Sequence, residues 1–214
     1  MAPTDRFRPR KQPKQQRAAQ TRRWILDAAA HVFSEHGYAA GTTNRIAERA
    51  GVSIGSLYQY FPNKDAILRA LMEEHIDAGG RILRERLAGG LPAGLDDILR
   101  LFIGATIDNH RADPGLHRVL FEEAPRSAEL LARLHDSENL AVGAVAHLLD
   151  GHPEVAVANN TLSARIVVAA VESLVHRLIT ARAPVESGQL EDELVVLLGA
   201  YLRRDHAEPS SASG

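Results

Sequence analysis

Apolar residues recur three and four positions apart along most of this chain, which is the spacing that places them on one face of an α-helix. The first periodic run extends from Thr21 to Gly37, and another extends from Lys64 to Leu87. Glycine and proline mark the breaks between the runs. The pattern therefore predicts an all-α protein.

Further helical segments follow a loop at residues 89–94. They cover Leu95 to Arg111, a short run after Asp113-Pro114-Gly115, Pro125 to Asp150, roughly Val155 to Ala183, and Ser187 to Arg204. Together with two short helices near residue 50, they give about nine helices in total. The Gly79-Gly80 pair inside the Lys64 helix predicts a bend or a close contact with another helix.

Two short helices joined by a tight turn are predicted between Thr42 and Lys64. A threonine at position 42 or 43 and Ser53 can cap their N-termini with side-chain oxygens. Gly51 can end the first helix in the left-handed conformation, and the small Ala47 lets the two helices cross closely. These features predict a helix-turn-helix, whose second helix enters the major groove of duplex DNA.

This segment also resembles a known family. Residues 46–64 read Ile-Ala-x-x-Ala-Gly-Val-Ser-x-Gly-x-Leu-Tyr-x-Tyr-Phe-x-x-Lys, and with the long helical remainder they closely resemble the tetracycline-repressor (TetR) family of bacterial transcription regulators. The resemblance is strong over roughly residues 21–72 and only architectural beyond them. It implies a three-helix DNA-binding head, a dimer interface in the last two helices, and a ligand pocket in the body between them.

Charge is divided between the two ends of the chain, although the formal net charge is only −2. Residues 1–64 contain eleven Lys or Arg against four Asp or Glu, and the remaining 150 residues contain 14 against 23. A basic head on an acidic body indicates a local site for a polyanion. We divide the chain into a disordered basic arm at 1–20, a helix-turn-helix domain at 21–62, a ligand-binding and dimerisation domain at 63–205, and a disordered tail at 206–214.

The basic arm lacks apolar periodicity, which is why we expect it to be disordered in isolation. Two interpretations of it stay open at this point. It is either a solvated tail or an arm that follows DNA phosphates or enters the neighbouring minor groove.

The resemblance assigns DNA contacts position by position. It implies contacts from Thr42, Thr43, Arg45, Ser56, Tyr58, Tyr60 and Lys64, and a close backbone approach at Gly55. Hydroxyls and the lysine ammonium suit phosphate oxygens, which fix the register of a protein on DNA without reading its sequence. Gln59, Ser56 and Arg45 suit base edges, since glutamine pairs with adenine and arginine with guanine. Ser53 completes the predicted DNA-binding set.

The last two long helices are apolar on nearly all sides, and a helix of that kind must be buried on all sides. Pro184 separates them, which predicts an antiparallel hairpin. One chain can cover only part of their surface, so the pattern predicts a homodimer with a four-helix interface. The predicted interface residues are Val168, Val171, Val175, Leu178, Leu194, Leu197, Leu198 and Tyr201.

A ligand pocket in the body should be lined by apolar groups and a few polar ones. The candidates are Phe102, Thr106, His110, His117, Phe121, Asn139, Glu172 and His176. Each also has an ordinary structural interpretation, because the aromatic residues are typical of a core and Glu172 and His176 are four positions apart, as a helical ion pair would be.

Several classes of protein are disfavoured by the sequence. The chain has no cysteine, and its ten histidines are scattered without carboxylate or cysteine partners at ligand spacing, so we expect no metal site and no cofactor. Motifs of nucleophilic, phosphate-binding or metalloprotease catalysis are absent from it, so we do not expect an enzyme. Without a membrane span or a signal peptide, the expected location is the cytoplasm.

The function that we predict is a dimeric repressor that a small-molecule ligand releases from a palindromic operator in double-stranded DNA. Two alternatives remain. One is a DNA-binding interaction or nucleoid-associated protein that senses no ligand, and the other is an apolar-ligand binding protein or enzyme with a degenerate head.

Overall fold

The computed structural model describes residues 14–125, 127–181 and 183–204, so most of the predicted basic arm and the tail lie outside the described residues. Within these ranges the chain forms nine α-helices and no strand, which confirms the all-α prediction. The helices are α1 (Lys14–Ala40), α2 (Thr43–Ala50), α3 (Ile54–Tyr60), α4 (Lys64–Arg86), α5 (Leu95–Arg111), α6 (Pro114–Arg118), α7 (Ala128–Leu149), α8 (Asn160–Ile179) and α9 (Ser187–Leu202). A 3₁₀ turn follows α4 at Leu87–Gly89, and a π turn follows α6 at Val119–Glu123. None of the helices in the described part of the chain is long and apolar enough to cross a membrane.

The first helix is longer than the sequence predicts. It begins at Lys14 rather than Thr21, so the expectation of disorder is wrong for residues 14–20. Glutamine, arginine and alanine dominate this stretch, and all three favour helices without any apolar periodicity. At its other end α1 breaks at Gly37, as the sequence predicts, because φ 74° and ψ 173° are not helical there, and a further helical turn runs on to Ala40. A left-handed φ of this kind is readily available to glycine.

The predicted caps and the tight turn of the helix-turn-helix are confirmed. Thr42 Oγ1 accepts the Arg45 N–H at the start of α2, and Ser53 Oγ accepts the Ser56 N–H at the start of α3. Gly51 follows α2 with φ 66°, and its N–H donates to carbonyls of the last turn. The chain therefore reverses between α2 and α3 with its backbone groups satisfied.

The later helices begin at capping residues rather than at the first apolar position. Ser127 caps α7, which starts at Ala128 rather than Pro125. Asn159 caps α8, so the stretch from Val155 to Asn159 precedes the helix instead of opening it. In both cases the side-chain oxygen accepts a backbone N–H of the first turn, which fixes where the helix begins.

The packing divides into two apolar cores whose boundary differs from the predicted domain boundary at residue 62. The first core joins α1, α2 and α3 to the first half of α4, and it also takes in Val119, Leu120 and Leu130 from the body. The second core lies among α5, α7, α8 and α9. The head is therefore completed by residues that come from the middle of the chain.

The predicted dimer residues are mostly used inside one chain. Helix α8 packs on α5 and α7, and α9 packs on α5. This packing buries five of the predicted residues within the single chain: Val168, Val171, Val175, Leu194 and Leu198. They therefore leave little exposed surface for a second chain, and their place in a dimer interface stays a prediction. Leu178 and Tyr201 are half-buried, and the Tyr201 hydroxyl lies 3.0 Å from Ser163 Oγ. The Leu197 side chain alone among the eight is largely exposed, at 55%.

Close contacts between helices explain two of the glycines. A Cβ on Gly79 would lie 3.0 Å from Asn109 Nδ2, so the predicted close helix contact is confirmed between α4 and α5. At Gly115, in α6, a Cβ would lie 2.1 Å from Ser34 Oγ in α1. The same Ser34 hydroxyl donates to Asp113 Oδ1 at 3.0 Å. Helix α6 is thereby held directly on the head.

The Gly115 contact can be tested by adding one methyl group. We expect Gly115→Ala to lower the free energy of unfolding by about 1–3 kcal/mol, because the methyl group would overpack the α1–α6 contact. Urea denaturation measures this change. Gly143→Ala is the matched control, since no atom lies within 4 Å of a Cβ at that position in α7. It should stabilise the protein by about 0.5–1 kcal/mol. Equal stabilities of the two variants would contradict the close contact.

Candidate functional sites

The helix-turn-helix turns its predicted DNA-binding side chains toward solvent. Ile46, Ala47 and Leu57 are buried against the head core, and they fix α2 and α3 against each other. On the outer surface of α3, Tyr58 is 50% exposed and Gln59 is exposed. The arrangement presents a short helix with exposed polar side chains, as a recognition helix requires.

Some of these polar groups also contact each other. Thr43 Oγ1 lies 3.2 Å from the Tyr58 hydroxyl, which ties α2 to α3. Ser53 Oγ lies 2.9 Å from Ser56 Oγ in addition to capping α3. Thr42 has a capping role as well. Their DNA contacts stay predictions, as do those of the exposed Arg45 and Gly55 and the half-buried Tyr60.

Lys64 lies at the joint between the end of α1 and the start of α4, the helix that leads from the head into the body. Its Nζ donates to the Tyr38 carbonyl at 2.8 Å and sits 3.9 Å from the centre of the Tyr38 ring. The Tyr38 hydroxyl also bonds to Asp65. Burial, followed by this bond and the Asp65 charge, raises the pKa of Tyr38 to about 12. Lys64 therefore has a structural role that the sequence did not predict, with donors left over for the predicted phosphate contact.

Four of the predicted pocket residues come together in the body. His110 of α5, His117 of α6 and His176 of α8 face one another, with ligand nitrogens that all lie within 4.8 Å. The Phe121 ring stacks on His117 at a centroid distance of 4.2 Å. His75 of α4 packs edge-on against His117 at 4.8 Å. We call His110, His117 and His176 the histidine cluster.

The other four candidates are less closely associated. Thr106 contributes its carbonyl, which bonds to His110 Nδ1 at 2.8 Å, while its hydroxyl donates to the Phe102 carbonyl. Glu172 is exposed but places a carboxylate oxygen 3.7 Å from His110 Nε2. Asn139 is exposed on α7, and no contact places it at the cluster. The aromatic and imidazole rings contact one another in this region, and open surface clefts lie between α1 and α2 and between α4 and α7.

Hydrogen bonding fixes part of the proton arrangement in the cluster. A carbonyl can only accept, so His110 Nδ1 carries the proton and its Nε2 carries the lone pair. His117 and His176 share one hydrogen bond, with their Nδ1 atoms 3.0 Å apart. His117 Nε2 is buried and has no hydrogen-bond partner among the described residues. A buried polar atom of this kind costs about 1–3 kcal/mol.

Burial keeps these imidazoles neutral. It is the main cause that lowers the pKa of His75 and of His110 from 6.5 to about 4. Burial likewise lowers the pKa of His117, with the neighbouring histidines acting in the same direction, and that of His176. Neutral imidazole is the form that binds metal ions.

The premise on which the sequence disfavoured a metal site does not hold in three dimensions. The histidines are scattered along the chain, yet the fold gathers three of them and brings carboxylates to the rim. Glu122 Oε1 lies 3.6 Å from His176 Nε2, much as Glu172 lies beside His110. Sequence reasoning missed Glu122 because nothing local signals the π turn. It also missed His75, which continues the apolar stripe of Leu71 and Met72 on α4 by helical spacing.

Two family profiles match the chain. One, described as bacterial regulatory proteins of the tetR family, matches residues 25–71. The other, described as a tetracyclin repressor-like C-terminal domain, matches residues 94–202. The second covers about half of the chain.

Curated relatives match mainly in the head. The A-factor receptor protein of Streptomyces griseus is 49% identical over 61 residues, which are 28% of this chain and 22% of that protein. The HTH-type transcriptional repressor KstR of Mycolicibacterium smegmatis is 43% identical over 74 residues, 33% of this chain and 35% of that protein. The nucleoid occlusion factor SlmA of Haemophilus influenzae is 34% identical over 118 residues, 51% of this chain and 52% of that protein. The chain thus spans between about a fifth and a half of the length of these relatives.

Solved structures share the fold over nearly the whole chain. The fatty acid degradation regulator FadR from Bacillus halodurans has a TM-score of 0.69 at 23% identity and covers 92% of this chain and 100% of its own. A TetR-like transcriptional regulator from Rhodococcus sp. RHA1 has a TM-score of 0.70 at 23% identity, and the match covers 90% of this chain and 98% of that one. FadR from Bacillus subtilis in complex with stearoyl-CoA has a TM-score of 0.67 at 23% identity, and the match covers 83% of this chain and 97% of that one.

The lowered pKa values predict a dependence of stability on pH. Between pH 6.5 and 4, His75 and His110 gain protons in the unfolded chain but stay neutral in the folded one, so stability is present above pH 6.5 and falls with falling pH. Each contributes a slope of up to about 1.4 kcal/mol per pH unit. Urea unfolding across this range, in the presence of a chelator, measures the slope.

His117→Phe should make the slope shallower, because it removes a buried titrating group and keeps a ring stacked on Phe121. The exposed His31 provides the control, since His31→Gln leaves the cluster untouched. A slope that stays the same in His117→Phe would contradict the assignment to the cluster.

Proposed function

Since this chain belongs to the TetR family of bacterial regulatory proteins, we propose that it is a cytoplasmic, homodimeric repressor that a small-molecule effector releases from a palindromic DNA operator. The observation that carries the proposal is the exposed outer surface of α3, held on a head whose buried residues fix its position. KstR, a relative in the head region, is named a transcriptional repressor. Arg45 and Gln59 would read base edges, and the hydroxyl groups nearby would contact phosphates.

A second copy of the chain is needed for a palindromic site. Two recognition helices must lie about 34–36 Å apart to enter successive major grooves. Apolar side chains remain exposed on the outer side of the last two helices, and these, rather than the buried residues, are the interface that we propose. They are Leu162 and Ile166 on α8 and Val196 and Leu197 on α9, each between 41% and 69% exposed.

The release mechanism follows from the contacts between body and head. Helix α6 and the π turn pack on α1, and α4 begins at the Tyr38–Lys64 joint. An effector that enters between α5, α6 and α8 would shift these elements and favour the arrangement of the two heads that does not fit DNA. The free energy by which the effector shifts this equilibrium equals the difference between its binding free energies for the two arrangements. The FadR structure from Bacillus subtilis contains stearoyl-CoA, which supports a ligand-binding body in this fold.

One relative favours a second candidate. SlmA is named a nucleoid occlusion factor and matches about half of this chain, which supports a DNA-binding protein with a role other than repression. Release from DNA by an effector distinguishes the two candidates.

Selection of binding sites from random duplex DNA tests operator recognition. We expect two half-sites related by dyad symmetry and spaced by about one helical turn. A thermal-shift screen of metabolites and drugs would then identify compounds that bind the protein, and fluorescence anisotropy would measure whether they release the selected DNA. Binding compounds that leave the complex intact would support the second candidate.

Gln59→Ala tests direct base readout. We expect a loss of about 1–3 kcal/mol in binding to the selected site and relaxed specificity at one base pair in each half-site. Gln189→Ala is the matched control, because Gln189 is also exposed but lies at the start of α9. Anisotropy against the selected and single-mismatch duplexes measures both effects. An equal loss on every sequence would place Gln59 on the phosphates instead.

Leu197→Glu tests the proposed dimer face. A buried charge without a partner is costly, so we expect a monomer at micromolar concentration and greatly weakened operator binding. Light scattering during size-exclusion chromatography reports the mass. Leu91→Glu is the control, since Leu91 is 47% exposed but lies in the loop before α5. A Leu197→Glu dimer as stable as wild type would remove this face from the interface.

A further inference from the structure

We propose that His110, His117 and His176 form a binding site for a divalent transition-metal ion, with Zn²⁺ as the best match, where α5, α6 and α8 meet. The inference goes beyond the regulator function above. It concerns metal binding by the body and holds whether or not an operator is released.

The spacing of the three rings fits a single ion. A tetrahedral zinc site with Zn–N distances of about 2.0–2.1 Å places its nitrogens about 3.4 Å apart and its imidazole centres about 5 Å apart. The three ring pairs here have centroid distances of 4.0, 4.8 and 6.2 Å. The ligand nitrogens lie within 4.8 Å of one another, and a bound ion would replace the hydrogen bond between His117 Nδ1 and His176 Nδ1, since neutral rings that share this bond cannot both offer a free lone pair.

The orientation of His110 matches that of a metal ligand. Its Nδ1–H donates to the Thr106 carbonyl at 2.8 Å, and this leaves the Nε2 lone pair directed away from the helix. Metal-binding histidines commonly donate their second ring N–H to a carbonyl or carboxylate, because this bond fixes the tautomer and the ring orientation. Thr106 would then act as the outer partner of the site.

His117 supplies a second, independent indication of a ligand. Its side chain is 2% exposed and its Nε2 has no hydrogen-bond partner in the described part of the chain. Stacking on Phe121 explains why the ring is there but not why a polar atom is buried unsatisfied. A coordinated cation would satisfy this nitrogen.

Two carboxylates at the rim can balance the charge of the ion. Glu122 and Glu172 place oxygens 3.6 and 3.7 Å from His176 Nε2 and His110 Nε2, so either can provide a fourth ligand. Imidazole-rich ligand sets favour zinc, copper and nickel over magnesium and calcium. His75 lines the site but is not one of its ligands. Its Nε2 already accepts a hydrogen bond from the Asn109 amide nitrogen, at 3.2 Å.

Metal titration of the full chain, free of any histidine tag and stripped with a chelator, tests the proposal. We expect Co²⁺ to give the visible absorption of a four-coordinate site that saturates at one ion per chain. Zn²⁺ should displace Co²⁺ and raise the Tm, whereas Mg²⁺ should do neither. The absence of both the absorption and the Tm increase in the wild-type chain would overturn the proposal.

Variants separate coordination from packing. We expect His117→Phe, which keeps the stacked ring, and His176→Gln to lower Co²⁺ affinity by at least about 100-fold, since even outer partners of metal ligands are worth 10- to 100-fold. His147→Gln is the control, because His147 is exposed on α7. Circular dichroism and Tm in chelator verify folding, and either folded variant is sufficient for the test. Unchanged affinity in a folded variant, or an equal loss in His147→Gln, would overturn the assignment.

Discussion

The packing of α6 and the π turn against α1 is the contact on which the arrangement of the other elements depends. It requires Gly115, because any side chain there would meet Ser34 of α1. It also delivers Val119 and Leu120 into the core of the head, which would otherwise lack part of its apolar filling. The same short helix carries His117 on its other side. One five-residue helix thus connects the DNA-binding head with the interior of the body.

The start of α4 provides a second connection of a different kind. Lys64 and Asp65 both bond to Tyr38 near the end of α1, through its carbonyl and its hydroxyl. The packing on α6 is close and combines buried apolar side chains with the Ser34–Asp113 hydrogen bond, whereas the joint at Tyr38 is polar and half-exposed, so its bonds can be exchanged for water at lower cost. The release mechanism that we propose needs a head that keeps its internal shape while its orientation to the body changes. The two connections fit that division of roles.

Local signals in the sequence are sufficient for the helices and the helix-turn-helix. Capping side chains and Gly51 fix the ends of α2 and α3, because they act on backbone groups within a few residues. The apolar stripes also locate the long helices of the body. These features depend on neighbours in the chain, and for that reason they can be predicted without knowing the tertiary structure.

The partners of each helix could not be predicted in the same way. Val168 and Leu194 have the apolar character of an interface, but α5 and α7 cover them within one chain. The histidine cluster joins three helices that are far apart in the sequence, so no spacing rule reveals it. The π turn has no local signature, and with it Glu122 stayed hidden. In each case the missing information was which elements lie next to each other in space.

The π turn has a consequence for insertions and deletions in this region. Its extra residue per turn, closed by the bond from the Ala124 N–H to the Val119 carbonyl, lets two consecutive carboxylates face different neighbours. Glu122 reaches toward His176, while Glu123 accepts the N–H of Tyr38 at 2.8 Å. A slip of one residue would place Phe121 or Ala124 where one of the two glutamates now lies, either at the rim of the histidine cluster or beside Tyr38. The positions of these five residues along the π turn therefore determine the contacts of both sites. An insertion or deletion in the turn would change both sites together.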